Sequence, residues 1–173
     1  MDEVTLLDDE GVMIGASPKH LVHTTDTPLH FGFSCYLVDA DDRILVTRRA
    51  LGKQTWPGVW TNSFCGHPRP GEHLADAVHR RAMDELGVAI TDLRTVLPDY
   101  RYRAVDASGI VENEICPVHV AVVDGEVTAD ASEVVEWTWT GADDLLAAVR
   151  AAPYAYSPWM REQLELLRAL DEV

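Results

Sequence analysis

Short runs of hydrophobic residues, alternating with polar ones or closely packed together, recur along most of the chain. This pattern is typical of β-strands. The first two runs are separated by Asp8-Asp9-Glu10-Gly11, which predicts a β-hairpin. The stretch 20–30 is predicted to be a loop, because its threonines, Asp26 and Pro28 interrupt any helix. The predicted strands are 4–7, 12–16, 31–38, 44–48, 59–65, 93–102, 110–123 and 134–138.

Helical periodicity is clearest over 72–86, where Gly87 provides the stop signal. Arg81 and Glu85 lie at the edge of the apolar stripe of this helix, where side chains reach the rim of a pocket. The stripe consists of Leu74, Ala75, Val78, Ala82 and Leu86. Two more helices are predicted over 142–151 and 158–170. Strands mixed with a few helices predict a layered α/β or α+β fold, with mixed sheets packed between helices, and a single domain spanning 1–173.

Composition and charge narrow the function. The chain has 173 residues, of which 47% are apolar, and a formal net charge of −15. This charge argues against nucleic acid or an anionic membrane as partner. The stretch from Arg48 to Arg103 nevertheless carries more basic than acidic residues. A cationic centre in an acidic chain suits a small anionic ligand such as a phosphate ester.

The expected compartment is the cytoplasm. The three cysteines have no disulfide-framework spacing. The start of the chain is acidic and strand-like, unlike a secretory signal, and no apolar run is long enough to span a bilayer.

Candidate chemistry is concentrated in two short motifs, Cys65-Gly66-His67 and Glu112-Asn113-Glu114. In a strand Glu112 and Glu114 share one face, which indicates either an exposed strand face or a metal or proton-transfer site. Cys65 beside His67 is consistent with half a zinc site, a nucleophile or a proton donor. Together, the motif glutamates and three histidines offer five nitrogen and oxygen ligands for a divalent cation. These histidines are His23, His30 and His67.

Several long motifs resemble those of the type 1 isopentenyl-diphosphate isomerases, which are built on the Nudix fold. They are HTTDTPLHFGFS, LVTRRALGKQTWPGVWTNSFCGHP, DYRYRA, SGIVENEICPV and SPWM, and they span nearly the whole chain. The Nudix hydrolase motif itself is only partly present. Gly66, Glu72, Arg80, Glu85 and Gly87 are in register with it, whereas Arg81 and Asp84 replace two of its glutamates. The arginine weakens a hydrolase interpretation and matches the isomerases.

The resemblance implies a role for each site residue. His23, His30, His67, Glu112 and Glu114 would bind Mn²⁺, Zn²⁺ or Mg²⁺, and Glu85 would bind a Mg²⁺ that bridges to the substrate diphosphate. Arg49, Lys53 and Arg81 would bind the diphosphate, and Trp159 would face a carbocation. Cys65 and Glu114, the latter assisted by Tyr102, would transfer protons on opposite sides of the substrate.

The implied reaction converts isopentenyl diphosphate reversibly into dimethylallyl diphosphate. Glu114 with Tyr102 is expected to deliver the proton and Cys65 to remove one, although either residue could be the acid in a reversible reaction. No organic cofactor and no obligate protein partner are expected. Two other hypotheses remain open, a Nudix hydrolase of a nucleoside or other diphosphate and a non-catalytic metal- or diphosphate-binding module.

Overall fold

The computed structural model describes residues 3–173, so Met1 and Asp2, at the start of the acidic N-terminal stretch, lie outside the described residues. Strands dominate the first two thirds of the chain and helices its C-terminal end. The strands are β1 Glu3–Leu7, β2 Met13–Pro18, β3 His30–Phe31, β4 Phe33–Val38, β5 Ile44–Arg49, β6 Trp60–Thr61, β7 Phe64–Gly66, β8 Ala89–Leu97, β9 Arg101–Val105, β10 Val111–Ile115, β11 Val118–Asp124 and β12 Val134–Thr140. The helices are α1 Lys19–Val22, α2 Leu74–Leu86, α3 Ala142–Ala151 and α4 Pro158–Ala169, with a 3₁₀ turn at Pro153–Ala155.

The described strands form two sheets, and two segments of the chain pass from one sheet into the other. The first sheet has the order β2-β1-β3-β10-β9, and the second has the order β12-β5-β4-β11-β8 with β6 beside β5 and β7 beside β4. Strand β3 continues into β4 and is parallel to β10, which continues into β11. Both segments therefore pass from one sheet to the other side by side. The Gly32 amide donates to the Ile115 carbonyl across 3.0 Å, and the Ser34 amide donates to the Pro117 carbonyl across 3.1 Å.

These crossings correct three of the predicted strands. The predicted strands 31–38, 93–102 and 110–123 each divide into two strands that belong to different sheets. Gly32 and Pro117 mark two of the breaks, since proline has no amide for the sheet ladder. The third break is the turn at Pro98 and Asp99. A hydrophobic pattern does not reveal such a change of sheet, because the strand period continues through it.

The predicted strand 59–65 is also two strands, β6 and β7, separated by Asn62 and Ser63. Both side chains are fully buried and bond to backbone groups instead of solvent. The Ser63 hydroxyl donates to the Leu45 carbonyl and accepts from the Leu37 amide, each across 2.7 Å. Such side-chain bonding competes with a regular strand ladder.

The second sheet lies between helices, as the predicted layered fold requires. Phe33, Cys35 and Leu37 of β4 pack on one face with α2, while Tyr36 packs on the other face with residues of α3 and α4. Because both faces are covered, β4 is a nearly continuous buried run. The α/β architecture with mixed sheets and flanking helices is confirmed.

Helix α2 differs in detail from its prediction. It begins at Leu74, two residues later than predicted, and Gly87 ends it in the left-handed conformation, with φ of 64°. Ala75 is exposed, and Ala77 occupies the buried stripe in its place. Arg81 and Glu85 are also buried in the described structure, so the edge of the stripe faces an internal pocket.

The predicted loop over 20–30 is partly wrong as well, because α1 includes residues 20–22. The remainder of that stretch is irregular up to His30. Among residues 3–173, none of the helices has the length and apolar character needed to cross a membrane.

Candidate active site

A cavity of about 450 Å³ opens where the two sheets meet. It brings together side chains from both sheets, from α2 and from the start of α4. All but one of the residues singled out from the sequence line it, namely His23, Arg49, Lys53, Cys65, His67, Arg81, Glu85, Tyr102, Glu112, Glu114 and Trp159. The exception, His30, is fully buried directly behind Glu114, with its Nε2 3.3 Å from Glu114 Oε1.

One wall of the cavity is a cluster of three histidines and two glutamates, the His/Glu cluster (His23, His30, His67, Glu112 and Glu114). The three imidazole rings form a triangle with centroid separations of 5.1, 5.2 and 5.7 Å. Ligand atoms of the three histidines and Glu114 lie within 4.8 Å of one another. Oε2 of Glu112 is 3.0 Å from Nε2 of His23. Strand β10 supplies both carboxylates because alternate side chains share a face, as predicted.

The donor atoms of this cluster fit a divalent cation. His30 Nδ1 donates to the Pro28 carbonyl across 2.9 Å, which leaves the Nε2 lone pair directed towards Glu114. In the described structure Nε2 of His23 and of His30, Nδ1 of His67 and Oε2 of Glu112 are buried without a hydrogen-bond partner. Buried polar atoms are rarely left unpaired, and neutral imidazoles with carboxylates are suitable ligands for Mn²⁺ or Zn²⁺.

Two neighbouring residues determine where the glutamates of the cluster lie: Gly32 leaves space for one carboxylate, and Thr55 donates a hydrogen bond to the other. A Cβ atom on Gly32 would lie 2.5 Å from Oε2 of Glu114, so the carboxylate needs a glycine at the crossing. The buried hydroxyl of Thr55 donates to Oε1 of Glu112 across 2.7 Å. Thr55 also accepts from the Arg49 guanidinium through its carbonyl, at 2.8 Å, and so connects the cluster to the basic end of the cavity.

The basic end is formed by Arg49, Lys53 and Arg81. Lys53 forms an ion pair with Glu133, and Arg81 forms one with Glu85 on the next turn of α2. Oε1 of Glu133 is also 3.5 Å from Nη2 of Arg81. Burial lowers the pKa of Lys53 to about 8. Three cationic side chains with only two carboxylates in one recess make a site for a small polyanion.

A second wall is formed by Cys65 and Trp159, with Asn62 buried behind them, and these three residues are the thiol cluster. Tyr102 and Trp56 pack on Trp159 at centroid separations of 5.6 and 5.3 Å, and they enclose the region beside the thiol in aromatic rings. The Arg49 guanidinium lies 5.4 Å from the Trp159 ring centroid. Aromatic faces of this kind stabilise a cation and exclude water.

Two ionisable groups that line the cavity, the Cys65 thiol and the Glu114 carboxylate, are held in different states. Burial raises the pKa of the Cys65 thiol to about 11, so this residue is protonated near neutral pH. Burial also raises the pKa of Glu114, but the adjoining imidazoles of His30 and His67 outweigh it and hold that pKa well below its usual range. Burial raises the pKa of the Tyr102 hydroxyl well above its ordinary value, so Tyr102 remains a hydrogen-bond donor.

Sequence reasoning missed several residues that line the cavity or lie behind its walls. Asn62 interrupts a predicted strand, and asparagine is depleted in strands, so its position was a usable signal. Gly32, which lies between β3 and the buried strand β4, was another usable signal. Lys19, Thr55 and Glu133 gave no local signal, because chain crossings and loops bring them to the cavity.

Comparison with known families agrees with this geometry. The NUDIX domain model matches residues 28–164, which is more than half of the chain. Among solved structures, a protein from Deinococcus radiodurans has a TM-score of 0.73 at 17% identity and covers 95% of this chain and 98% of its own. A MutT protein from Methanosarcina mazei Go1 has a TM-score of 0.65 at 17% identity, over 84% of this chain and 97% of its own. The fold is therefore the Nudix fold.

Curated relatives define the class more narrowly. The chain is 58% identical over 164 residues to an isopentenyl-diphosphate Delta-isomerase of Clavibacter sepedonicus, with 95% of this chain and 86% of that protein covered. It is 55% identical over 170 residues to the isopentenyl-diphosphate Delta-isomerase of Leifsonia xyli subsp. xyli, with 97% and 92% covered. The chain belongs to the isopentenyl-diphosphate Delta-isomerase family within the Nudix domain proteins, and it is an enzyme of that class.

Proposed function

We propose that this enzyme interconverts isopentenyl diphosphate and dimethylallyl diphosphate by adding a proton on one side of the carbon skeleton and removing one on the other. The observation that carries the proposal is the shared cavity. A thiol and a carboxylate line it together with aromatic rings, and three cationic side chains lie at one end. Residues 1–173 act as one domain. The free cysteines, two of them buried, support a reducing cytoplasm as its compartment.

The diphosphate binds at the basic end. Arg49 and Arg81 present planar guanidinium groups that suit two phosphate oxygens at once, and Lys53 adds a point charge. Thr55 fixes the Arg49 guanidinium before substrate arrives. Glu85 is the residue that would share a Mg²⁺ with the diphosphate, since magnesium binds through few carboxylates together with phosphate oxygens.

The His/Glu cluster would hold a second divalent cation, Mn²⁺, Zn²⁺ or Mg²⁺. Such an ion supplies positive charge that orients Glu114 and tunes its proton affinity. The unpartnered nitrogen and oxygen atoms of the cluster support this assignment. His30, with Nδ1 bonded to a backbone carbonyl, is oriented for ligation before any ion binds.

The chemical step needs an acid beside an unactivated alkene. Glu114, assisted by the Tyr102 hydroxyl, gives its proton to the terminal carbon, which becomes a methyl group and leaves a tertiary carbocation. Cys65 as thiolate then takes a proton from the adjacent carbon, and the electrons of that C–H bond form the new double bond. Trp159 presents its ring to the cation, and the surrounding rings exclude water that would trap it.

The ligand-free protonation states are those that the reverse direction requires. A thiol at Cys65 protonates dimethylallyl diphosphate, and a carboxylate at Glu114 removes a methyl proton. The forward direction requires Cys65 to lose its proton and Glu114 to gain one before turnover, and the completed turnover restores the thiol and the carboxylate. One pair of residues therefore serves both directions of a reversible reaction.

The hydrolase alternative is less compatible with α2. A Nudix hydrolase holds cations with the carboxylates of its motif, but here Arg81 replaces one of them and forms an ion pair with Glu85. A guanidinium at this position reduces the negative charge available to the cations that would activate water. The same guanidinium favours binding of the diphosphate without cleaving it.

Proton NMR in D₂O tests the function directly. The enzyme is supplied with Mg²⁺ and Mn²⁺ and with isopentenyl diphosphate, Mn²⁺ being removed by chelation before spectra are recorded. The proposal predicts dimethylallyl diphosphate with deuterium in a methyl group. Unchanged alkene signals with released phosphate would instead show a hydrolase, and no change of either kind would leave a binding module.

The Cys65→Ala variant tests the assigned pair. Since general acid–base catalysis contributes about 10²–10⁴-fold, we expect turnover to fall by roughly that factor with metal content and melting temperature unchanged. Cys35→Ala is the matched control, because Cys35 is buried on the α2 side of β4, where it packs in the core, and does not line the cavity. A near-normal rate in Cys65→Ala would remove the thiol from the mechanism.

A further inference from the structure

Asn62, at the break between β6 and β7, has a fully buried side chain that lies against the thiol cluster. Its amide nitrogen donates to two backbone carbonyls, those of Cys35 at 3.1 Å and Phe64 at 2.7 Å. Its carbonyl oxygen accepts from the Trp159 indole at 3.0 Å and from the Cys65 thiol at 3.4 Å. The Thr61 hydroxyl also donates to this oxygen, across 2.9 Å.

The orientation of this amide is determined at both ends. Backbone carbonyls can only accept, so they fix the nitrogen side, and an indole N–H can only donate, so it fixes the oxygen side. Rotation of the amide by 180° would place donors against the indole and acceptors against carbonyls. A single oxygen is therefore held at a fixed point between the thiol and the indole.

The thiol has a second contact behind it. Ser34 Oγ is 3.4 Å from Cys65 Sγ, and it accepts from Gln163 Nε2 across 3.0 Å. The Gln163 carbonyl in turn accepts from the Tyr36 hydroxyl across 3.1 Å. Ser34, Tyr36 and Gln163 are all fully buried. The sulfur is thus held between Ser34 and Asn62, and only Asn62 also contacts the aromatic wall.

We propose that Asn62 is a positioning residue that fixes the Cys65 sulfur and the Trp159 ring relative to each other, so that the thiol acts on the carbon next to the cationic carbon that the indole faces. This inference rests on the proposed isomerase function. Asn62 touches no diphosphate-binding group, so its effect falls on the chemical step and leaves substrate binding unaltered. Misplacement of a reacting group by about 1 Å costs roughly 10²-fold in rate.

The test compares Asn62→Ala with Ser63→Ala. Both residues are fully buried neighbours whose side chains bond to the backbone, but the described bonds of the Ser63 hydroxyl are only to the Leu37 amide and the Leu45 carbonyl. We expect Asn62→Ala to lower kcat by about 10²-fold with KM within about threefold of wild type and metal content unchanged. Ser63→Ala is expected to lower the melting temperature and to keep kcat within about threefold. Equal loss of kcat in both variants, or a preserved kcat in Asn62→Ala, would overturn the proposal.

Two readouts apply even without turnover. The ultraviolet resonance Raman spectrum of wild type, after subtraction of the spectrum of Trp159→Phe, reports whether the Trp159 N–H is hydrogen-bonded. A non-bonded indole would contradict the proposal. This measurement does not require Asn62→Ala to fold. Iodoacetamide should alkylate Cys65 faster in Asn62→Ala than in wild type, with Cys65→Ala as background, and an unchanged rate would also contradict it. If the wild-type enzyme fails to isomerise the substrate in D₂O, the proposed function is wrong. The Raman and alkylation measurements would still test whether Asn62 positions Cys65 and Trp159.

Discussion

The two walls of the cavity differ in how well their polar atoms are satisfied. In the His/Glu cluster, four buried nitrogen and oxygen atoms have no hydrogen-bond partner within the described residues. In the thiol cluster, the amide of Asn62 makes every bond that its donors and acceptor allow. Both walls are about equally buried, so burial alone does not explain the difference.

The difference indicates what each wall needs from outside the chain. A buried unpaired donor set is costly to the fold unless a ligand completes it, so the His/Glu cluster is suited to a cation. The thiol cluster is already complete and rigid, so it positions its groups without a ligand. Metal removal should therefore affect one wall, and substitution of Asn62 or Cys65 should affect the other.

The largest effect is expected from Glu114→Gln, which affects both metal binding and catalysis. An amide removes the negative charge and one acceptor from the cluster, so we expect activity to fall by about 10³-fold and metal affinity to weaken by at least about 10-fold. Steady-state kinetics and metal analysis after dialysis measure the two losses. Glu136→Gln, an exposed carboxylate outside the cavity, is the control. Full metal occupancy in Glu114→Gln would contradict the dual role of this residue.

Gly32→Ala is expected to have an intermediate effect, confined to the same wall. The added methyl group would lie within 2.5 Å of the Glu114 carboxylate and displace it, so metal affinity and activity should each fall by about 10–100-fold. Calorimetric titration with Mn²⁺ and a turnover assay measure both. The control is Gly15→Ala, where a Cβ meets nothing within 4 Å. Unchanged affinity would show that the carboxylate is free to move.

The smallest effect on activity is expected from Glu72→Gln, which breaks an ion pair outside the cavity. Both carboxylate oxygens of Glu72 accept from Arg80 at 2.8 Å, and these bonds lower the pKa of Glu72 to about 2. The pair stabilises the fold fully above about pH 4.5, and this stability is lost as pH falls towards 2. We expect Glu72→Gln to lower the free energy of unfolding by about 1–3 kcal/mol at pH 7 with little change in kcat.

Urea denaturation of both proteins at pH 7 and pH 4 gives their free energies of unfolding and tests this prediction. The difference between wild type and Glu72→Gln should shrink at the lower pH, because at pH 4 Glu72 is partly protonated in the unfolded wild-type chain but not in the folded one. A difference of the same size at both values, or a large loss of kcat, would contradict a purely structural role.

Eleven residues that line the cavity were predicted as site residues. The Cys, His and Glu candidates came from the residue pattern, and the roles of the others came from the resemblance. Glu112 and Glu114 share a face by strand period alone, and Gly87 ends α2 where its conformational freedom predicts. The change of sheet at Gly32 and Pro117 was not predictable from hydrophobic periodicity, since the strand period continues through each segment. The contacts of Thr55, Asn62 and Glu133 depend on those crossings and on loop paths, so only the folded chain reveals them.

The central claim is that the His/Glu cluster is completed by a cation while the thiol cluster is complete by itself. Anomalous diffraction from crystals grown with Mn²⁺, for wild type and Cys65→Ala, tests it most directly. The account predicts a strong peak among His23, His30, His67 and the two glutamates in both proteins, with Asn62 still bonded to Trp159. Absence of that peak, or a metal bound at Cys65 instead, would contradict it.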